Sequence, residues 1–148
     1  MASRVISAAG RPIQWVMRAK ILMVDDEPSM CNLVDHILGA VGYAVTSLSR
    51  VEDVEELINR GARFDLAILD VVMPGMSGDQ LARVLRRHDP DAKVLFLTGY
   101  AEALFQARPV LWAGEAFLEK PFSPRGLEEA VSMILYGHTE PTGPAAVS

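Results

Sequence analysis

The sequence alternates between short apolar runs and longer amphipathic stretches, and this alternation constrains the fold most strongly. Three runs are apolar at all four positions (21–24, 66–69 and 94–97). Runs of this length between turn-forming residues are typical of strands buried on both faces. Weaker strand patterns lie at 44–48 and 116–118. Five strands alternating with helices predict an α/β fold, a doubly wound parallel sheet covered by helices on both sides.

The predicted helices have recognisable starts and ends. The first begins near Pro28, ends before Gly42 and has an apolar face at helical spacing, comprising Met30, Leu33, Val34, Ile37, Leu38 and Val41. Two further helices begin with residues at capping-box spacing, Ser49 with Glu52 and Ser77 with Gln80. Ser123 followed by Pro124 starts the last helix. Pro109 interrupts the segment 102–114, so the fourth helix is predicted to be short or partly loop.

Length and composition favour a single packed domain. The chain has 148 residues, of which 50% are apolar and 22% charged. We predict an N-terminal tail over 1–18, one domain over 19–137 and a C-terminal tail over 138–148. In an alternative interpretation translation begins at Met17, because the domain pattern starts directly after it.

Charge and cysteine content narrow the function classes. A net charge of -5 gives no general electrostatic reason to bind nucleic acid, and Arg83, Arg86 and Arg87 are interpreted as a solvated helix face. No apolar run approaches the roughly 20 residues that span a bilayer, so we expect no membrane insertion. Cys31 is the single cysteine and has no disulfide partner within the chain, which favours the reducing cytoplasm.

Polar residues follow the predicted strands at their carboxyl ends. Asp25 and Asp26 follow the first strand, Asp70 the third, Thr98 the fourth and Lys120 the fifth. Ligands of open parallel sheets bind at this edge, where the strand order reverses. Each residue alone has a simpler explanation, such as a helix cap at Asp25 or Asp26 or a turn at Asp70. Their common position predicts a site.

Three carboxylates in one site repel each other. At ~4 Å and an effective dielectric of ~20, each pair costs about 4 kcal/mol before any counter-charge. Lys120 supplies one positive charge, and Mg²⁺, which prefers oxygen ligands and joins carboxylates to phosphates, would supply the rest. A carboxylate nucleophile, a metal, a cation and a hydroxyl are the groups that phosphoryl transfer needs.

Four stretches, 21–28, 70–78, 97–100 and 117–122, together carry a family resemblance. The chain resembles the receiver domain of bacterial response regulators in two-component systems, over about 20–136, and we interpret it as the single-domain type. The resemblance implies a flavodoxin-like sheet of order 2-1-3-4-5. It also implies a stand-alone signalling protein rather than an enzyme with an external substrate, one that catalyses only its own phosphorylation and dephosphorylation.

The resemblance also implies residue roles at the site. Asp70 would accept the phosphoryl group from a phosphohistidine of a sensor histidine kinase or a histidine phosphotransfer protein. Asp26 and Asp70 would bind Mg²⁺ through their side chains and Val72 through its backbone carbonyl, with Asp25 acting mainly through water. Thr98 and Lys120 would hold the phosphoryl oxygens.

Signal output would also follow the family pattern. Phe117 would be the switch aromatic that turns inward as Thr98 moves, although a core role is compatible with it. The Lys120–Pro121 bond would be cis. The signal would pass to an unknown downstream protein, and a homodimer is possible.

Two other functions fit parts of the sequence. A phosphorylation-independent interaction module on the same fold would typically lack Asp70, Asp26 or Lys120, and all three are present. A Mg²⁺-dependent phosphatase with an aspartyl nucleophile would need a second Asp two residues later, where Val72 stands.

Two residues near the site suggest slow self-dephosphorylation of the receiver domain. They are Val72, two residues after Asp70, and Tyr100, two residues after Thr98.

Overall fold

A computed structural model describes residues 19–99 and 114–137, and the elements below are those of these two ranges. The strands are β1 (Lys20–Val24), β2 (Ala44–Leu48), β3 (Leu66–Asp70), β4 (Val94–Thr98) and β5 (Glu115–Glu119). The helices are α1 (Pro28–Ala40), α2 (Val51–Asn59), α3 (Gly78–His88) and α4 (Pro124–Tyr136). The predicted fourth helix at 102–114, except Gly114, and the tails over 1–18 and 138–148 lie outside the described residues.

The five strands form one parallel sheet of order β2-β1-β3-β4-β5, which confirms the predicted fold class. Val24 of β1 is opposite Leu69 of β3, so Asp25 and Asp70 follow at the same level of the sheet. On the other side of β3, Asp70 is opposite Leu97 of β4. The register therefore aligns the carboxyl ends of the three central strands.

Alternate residues of each central strand pack on opposite faces of the sheet. One face buries Ile21, Met23 and Ile68 together with apolar residues of α1 and α4. The other face buries Leu22, Leu69 and Phe96 together with residues of α2 and α3. Since both faces are buried, the apolar runs are uninterrupted, as the parallel-sheet interpretation required.

The helix starts agree with the sequence at three of four positions. Ser77 and Gln80 form the predicted capping box of α3, and the Ser123 side chain accepts a hydrogen bond from the Gly126 N–H at the start of α4. Pro28 is the first residue of α1. The capping box predicted at Ser49 is wrong: α2 starts one residue later, with Arg50 as its N-cap residue and no side-chain cap.

Two predictions about side-chain burial are also wrong. Leu33 and Val41 of the predicted apolar face are 43% and 36% exposed, whereas Cys31 is buried. Cys31 rather than Leu33 therefore lies on the side of α1 that packs on the sheet. Arg86 is not part of a solvated face, because its side chain is 13% exposed and lies 2.6 Å from the fully buried Glu115 carboxylate.

None of the helices in 19–99 and 114–137 combines the length and apolarity needed to cross a bilayer. Taken together, the described residues form a sheet with two helices on each face and a polar edge at the carboxyl ends of its strands.

Candidate functional site

The carboxyl ends of β1 and β3 bring the three predicted carboxylates together. Ligand oxygens of Asp25, Asp26 and Asp70 lie within 4.8 Å of one another. Asp25 and Asp70 are buried at 0% and 7% exposure, whereas Asp26 faces solvent. The cluster is therefore anchored in the sheet and open on one side.

Asp25 is fixed by the turn that leads into α1. Its Oδ1 accepts a hydrogen bond from the Glu27 N–H at 2.9 Å, and its own N–H donates to the Leu48 carbonyl of β2. The N-cap residue of α1 is Glu27, so neither aspartate caps the helix. Behind the turn, the Cys31 thiol donates to the Asp25 carbonyl at 3.4 Å.

Lys120 follows β5 and reaches across the sheet edge to the carboxylates. Its Nζ lies 3.2 Å from Asp25 Oδ2 and 3.4 Å from Asp70 Oδ1. Burial lowers the pKa of Lys120, but the two carboxylates more than offset this, so the pKa lies above its usual value. The ammonium group therefore stays charged and pairs with both acids.

The surroundings of Asp70 perturb its protonation. Burial and the neighbouring Asp25 raise its pKa to about 6, although Lys120 and a hydrogen bond from the Val72 backbone oppose the shift. At pH 7 the group is about 90% ionised, because one pH unit changes the ratio tenfold. It is thus a mostly charged carboxylate in a partly dehydrated position.

The backbone after Asp70 packs against the start of α3. The Gly78 N–H donates to the Val71 carbonyl at 2.9 Å, and a Cβ at Gly78 would overlap the backbone carbonyl of Asp70. The sequence reasoning missed this role of Gly78. The capping box at Ser77 marks the helix start, but nothing in the sequence shows that the helix touches the acceptor strand.

The other predicted residues lie around this centre. Thr98 ends β4 with a buried side chain, and its carbonyl accepts a hydrogen bond from the Lys120 N–H at 2.8 Å. Phe117 is opposite Phe96 in the sheet, half-buried and packed on the α2–α3 side. Val72 is 69% exposed beside Asp70. The Lys120–Pro121 bond is cis, as predicted. Tyr100 lies outside the described residues.

The donor set fits a small hard cation. Three carboxylates face one ammonium group, which leaves two negative charges when all are ionised. Carboxylate oxygens are the ligands that Mg²⁺ prefers, and the exposed side at Asp26 leaves room for the waters that Mg²⁺ retains. The residues present can therefore hold Mg²⁺ together with an anionic group.

Comparison with known proteins connects this geometry to a family. A family model described as the response regulator receiver domain matches residues 21–132. The chain belongs to this family. Receiver domains are signalling domains of two-component systems and not classical enzymes; they are phosphorylated by histidine kinases, and the family binds Mg²⁺.

Named relatives of this receiver domain differ in length. It is 38% identical over 118 residues to the sensor kinase CckA of Brucella abortus, covering 79% of this chain and 12% of that protein. It is 33% identical over 121 residues to the alkaline phosphatase synthesis transcriptional regulatory protein PhoP of Bacillus subtilis, covering 80% of this chain and 49% of that protein. The chain thus spans from about a tenth to about half the length of these relatives.

A solved structure supports the fold assignment. The receiver domain superimposes on the response regulator TrrA of Thermotoga maritima, in complex with Mg²⁺-BeF, with a TM-score of 0.69 and 33% identity. The match covers 80% of this chain and all of that one.

Proposed function

We propose that this receiver domain takes a phosphoryl group onto Asp70 in a Mg²⁺-dependent reaction and signals through the resulting change in conformation. The observation that carries the proposal is the juxtaposition of Asp70 with Asp25, Asp26 and Lys120 at the open edge of the sheet. The donor would be a phosphohistidine of a sensor histidine kinase or a histidine phosphotransfer protein. The lone buried cysteine fits a cytoplasmic exchange.

In the transfer step, an ionised oxygen of Asp70 attacks phosphorus and forms an acyl phosphate. The bond from phosphorus to the imidazole nitrogen of the donor breaks, and the imidazole leaves with the bonding electron pair. A loose transition state spreads negative charge over the phosphoryl oxygens, so positioning and positive charge supply most of the catalysis. Lys120 is already 3.4 Å from Asp70 and can follow this charge.

The metal would be held by Asp26 and Asp70, by the Val72 carbonyl, and by Asp25 mainly through water. When bound, Mg²⁺ neutralises charge on the phosphoryl oxygens and on the carboxylates. The chain's own contribution is to hold these acids against their mutual repulsion, through the Glu27 N–H on Asp25 and Lys120 on both buried acids.

The output would begin at Thr98 and reach β5. Thr98 and Lys120 are linked by a backbone hydrogen bond, and Phe117 lies three residues before Lys120. Drawing the Thr98 hydroxyl toward a phosphoryl group would change the packing next to Phe117. We interpret this as a population shift between two packings, presented to a partner by β5 and the helices beside it.

The test is phosphorylation by acetyl phosphate with Mg²⁺, followed by intact mass. The native chain should gain one phosphoryl group, and Asp70→Ala should gain none. Asp26→Asn should slow the gain and weaken its dependence on Mg²⁺. As a matched control, Asp35→Asn removes an exposed carboxylate of α1 and should behave as native.

This assay and a separate measurement of phosphate release distinguish the two other functions. An unmodified native chain would contradict the proposal and favour a phosphorylation-independent interaction module. Steady release of phosphate from a phosphomonoester substrate would instead favour a phosphatase.

A further inference from the structure

A groove of about 450 Å³ lies at the amino-terminal edge of the sheet, opposite the carboxylate cluster. Its apolar lining comprises Phe64 before β3 and Leu135 and Tyr136 at the end of α4. Tyr136 is 37% exposed and Phe64 is half-buried. The groove therefore offers aromatic surface that the core does not fully cover.

The rest of the lining is predominantly acidic. Asp65, Asp89 and Asp91 contribute three carboxylates against one basic residue, Lys93. The Lys93 ammonium donates to the Leu135 carbonyl at 3.2 Å, which directs it to the end of α4. The groove is thus suited to an occupant with both positive charge and apolar surface.

The segment 1–18 has this composition and joins the described structure at the groove. It contains Arg4, Arg11 and Arg18 and no acidic residue, with Trp15 and Ile13 among its apolar side chains. Its charge of +3 contrasts with -8 for the remaining residues, given -5 for the whole chain.

The entry point of the segment is fixed. The Ala44 N–H donates to the Ala19 carbonyl at 3.0 Å, and Ala19 itself lines the groove. Trp15 is four residues before Ala19, and four residues span at most about 14 Å. Because Ala19, Phe64 and Tyr136 line the same groove, the indole has the reach to contact both aromatic rings.

We propose that the segment 1–18 folds back into this groove, with Trp15 against Phe64 and Tyr136 and with its arginines paired to the acidic rim. The segment 138–148 begins two residues after Tyr136, but it contains the acidic Glu140 and neither Lys nor Arg. Like charge makes it the poorer occupant. The docking is independent of phosphoryl transfer, since the groove and the carboxylate cluster lie at opposite ends of the strands.

The experiment uses the full chain carrying Trp112→Phe, which leaves Trp15 as the single tryptophan. Docking predicts blue-shifted Trp15 emission and several-fold less quenching by acrylamide than in the urea-unfolded chain. Adding Asp91→Lys or Tyr136→Ala should restore quenching toward the unfolded value. Asp35→Lys, an equal charge change on α1 away from the groove, should leave it protected.

Three outcomes would overturn the docking. Quenching equal to that of the unfolded chain shows a free segment. If Trp15 is protected from acrylamide but neither groove variant changes its quenching, Trp15 is buried at another place. Protection that is lost on dilution shows docking onto a second copy. Amide NMR gives a second readout, because Trp15→Ala should shift resonances around Phe64, Asp91 and Tyr136, and shifts confined to other regions contradict the proposal.

Discussion

At the scale of single residues, the carboxylate cluster stores unfavourable electrostatic energy. Asp70 is 7% exposed and sits beside the fully buried Asp25, and Lys120 compensates only part of the repulsion. Burial, and after it the neighbouring Asp25, raises the pKa of Asp70, since a proton would relieve both costs. The arrangement opposes folding, and such perturbed groups are typical of residues that serve binding or chemistry.

Asp70→Asn is expected to stabilise the metal-free chain at pH 7. The shift in pKa from 3.8 to about 6 corresponds to about 1–3 kcal/mol in the free energy of unfolding. Between these pKa values the folded chain binds the proton more tightly than the unfolded chain. The free energy of unfolding of the unmutated chain therefore falls as pH rises from 3.8 to about 6.

Urea unfolding at several pH values measures the effect. The advantage of Asp70→Asn should be full above pH 6 and shrink as pH falls toward 4. An advantage that does not change with pH would show that the Asp70 charge is not its cause.

Val72→Asn is expected to shorten the life of the acyl phosphate, if Asp70 is phosphorylated as proposed. The Val72 side chain is 69% exposed beside Asp70 and has no group that can orient an attacking water. An amide at this position would supply one. The loss of phosphate from purified phosphoprotein in Mg²⁺ measures the lifetime. Val72→Leu, which adds no polar group, is the control, and equal lifetimes for Asn and Leu would refute the idea.

At the scale of elements, the sequence predicted a helix start correctly where the capping hydrogen bonds lie within the first turn of the helix. The Ser77 box and the Ser123 cap were predicted because the hydrogen bonds that form them are local. The Ser49 box has the same spacing, but the chain leaves β2 in a geometry that starts α2 at Val51. The exposure of Leu33 was missed for a similar reason, since the rotation of α1 depends on its packing against the sheet.

Ser77→Ala and Ser49→Ala form a matched pair that tests this distinction. Ser77 accepts a hydrogen bond from the Gln80 N–H at 3.2 Å, so its loss should lower the free energy of unfolding by about 1 kcal/mol. Ser49 caps no helix and should change it by less than about 0.5 kcal/mol. Chemical denaturation of both variants decides the matter, and equal losses would contradict the assigned caps.

At the scale of the whole molecule, the site was predictable because the topology of a parallel sheet gathers strand ends. Asp25, Asp70 and Lys120 are far apart in sequence, yet the sheet order places them together. Contacts between elements that no motif marks were not predictable. Gly78 against the Asp70 carbonyl and Arg86 beside Glu115 belong to this class, because they depend on how α3 sits on the sheet.

Arg86→Met is expected to destabilise the fold far more than Arg87→Met. Arg86→Met removes a cation 2.6 Å from the buried Glu115 carboxylate, and the loss of one partner of a buried ion pair costs about 3–5 kcal/mol. Arg87 is exposed one residue further along α3, so the same change should cost less than about 0.5 kcal/mol. Thermal or urea unfolding compares the two, and similar losses would show that the pair does not anchor α3 to β5.

Mg²⁺ is expected to stabilise the whole domain by binding the folded carboxylate cluster. A ligand that binds only the folded state adds about 2.7 kcal/mol at one hundred times its Kd. The midpoint of thermal unfolding should therefore rise with Mg²⁺ concentration at pH 7.5. It should rise less at pH 5, where protonation of Asp70, whose pKa is about 6, competes with the metal.

Variants of single carboxylates test whether Mg²⁺ stabilises the domain by binding at the cluster. Asp26→Asn and Asp70→Asn should flatten the dependence on Mg²⁺, while Asp35→Asn should keep it, because Asp35 lies on the exposed face of α1. NaCl at matched ionic strength controls for screening. A midpoint that responds equally to Mg²⁺ and NaCl, or equally in all four proteins, would mean that the ion acts on the general surface charge. The cluster at the carboxyl ends of β1 and β3 would then have no selective affinity for a divalent cation.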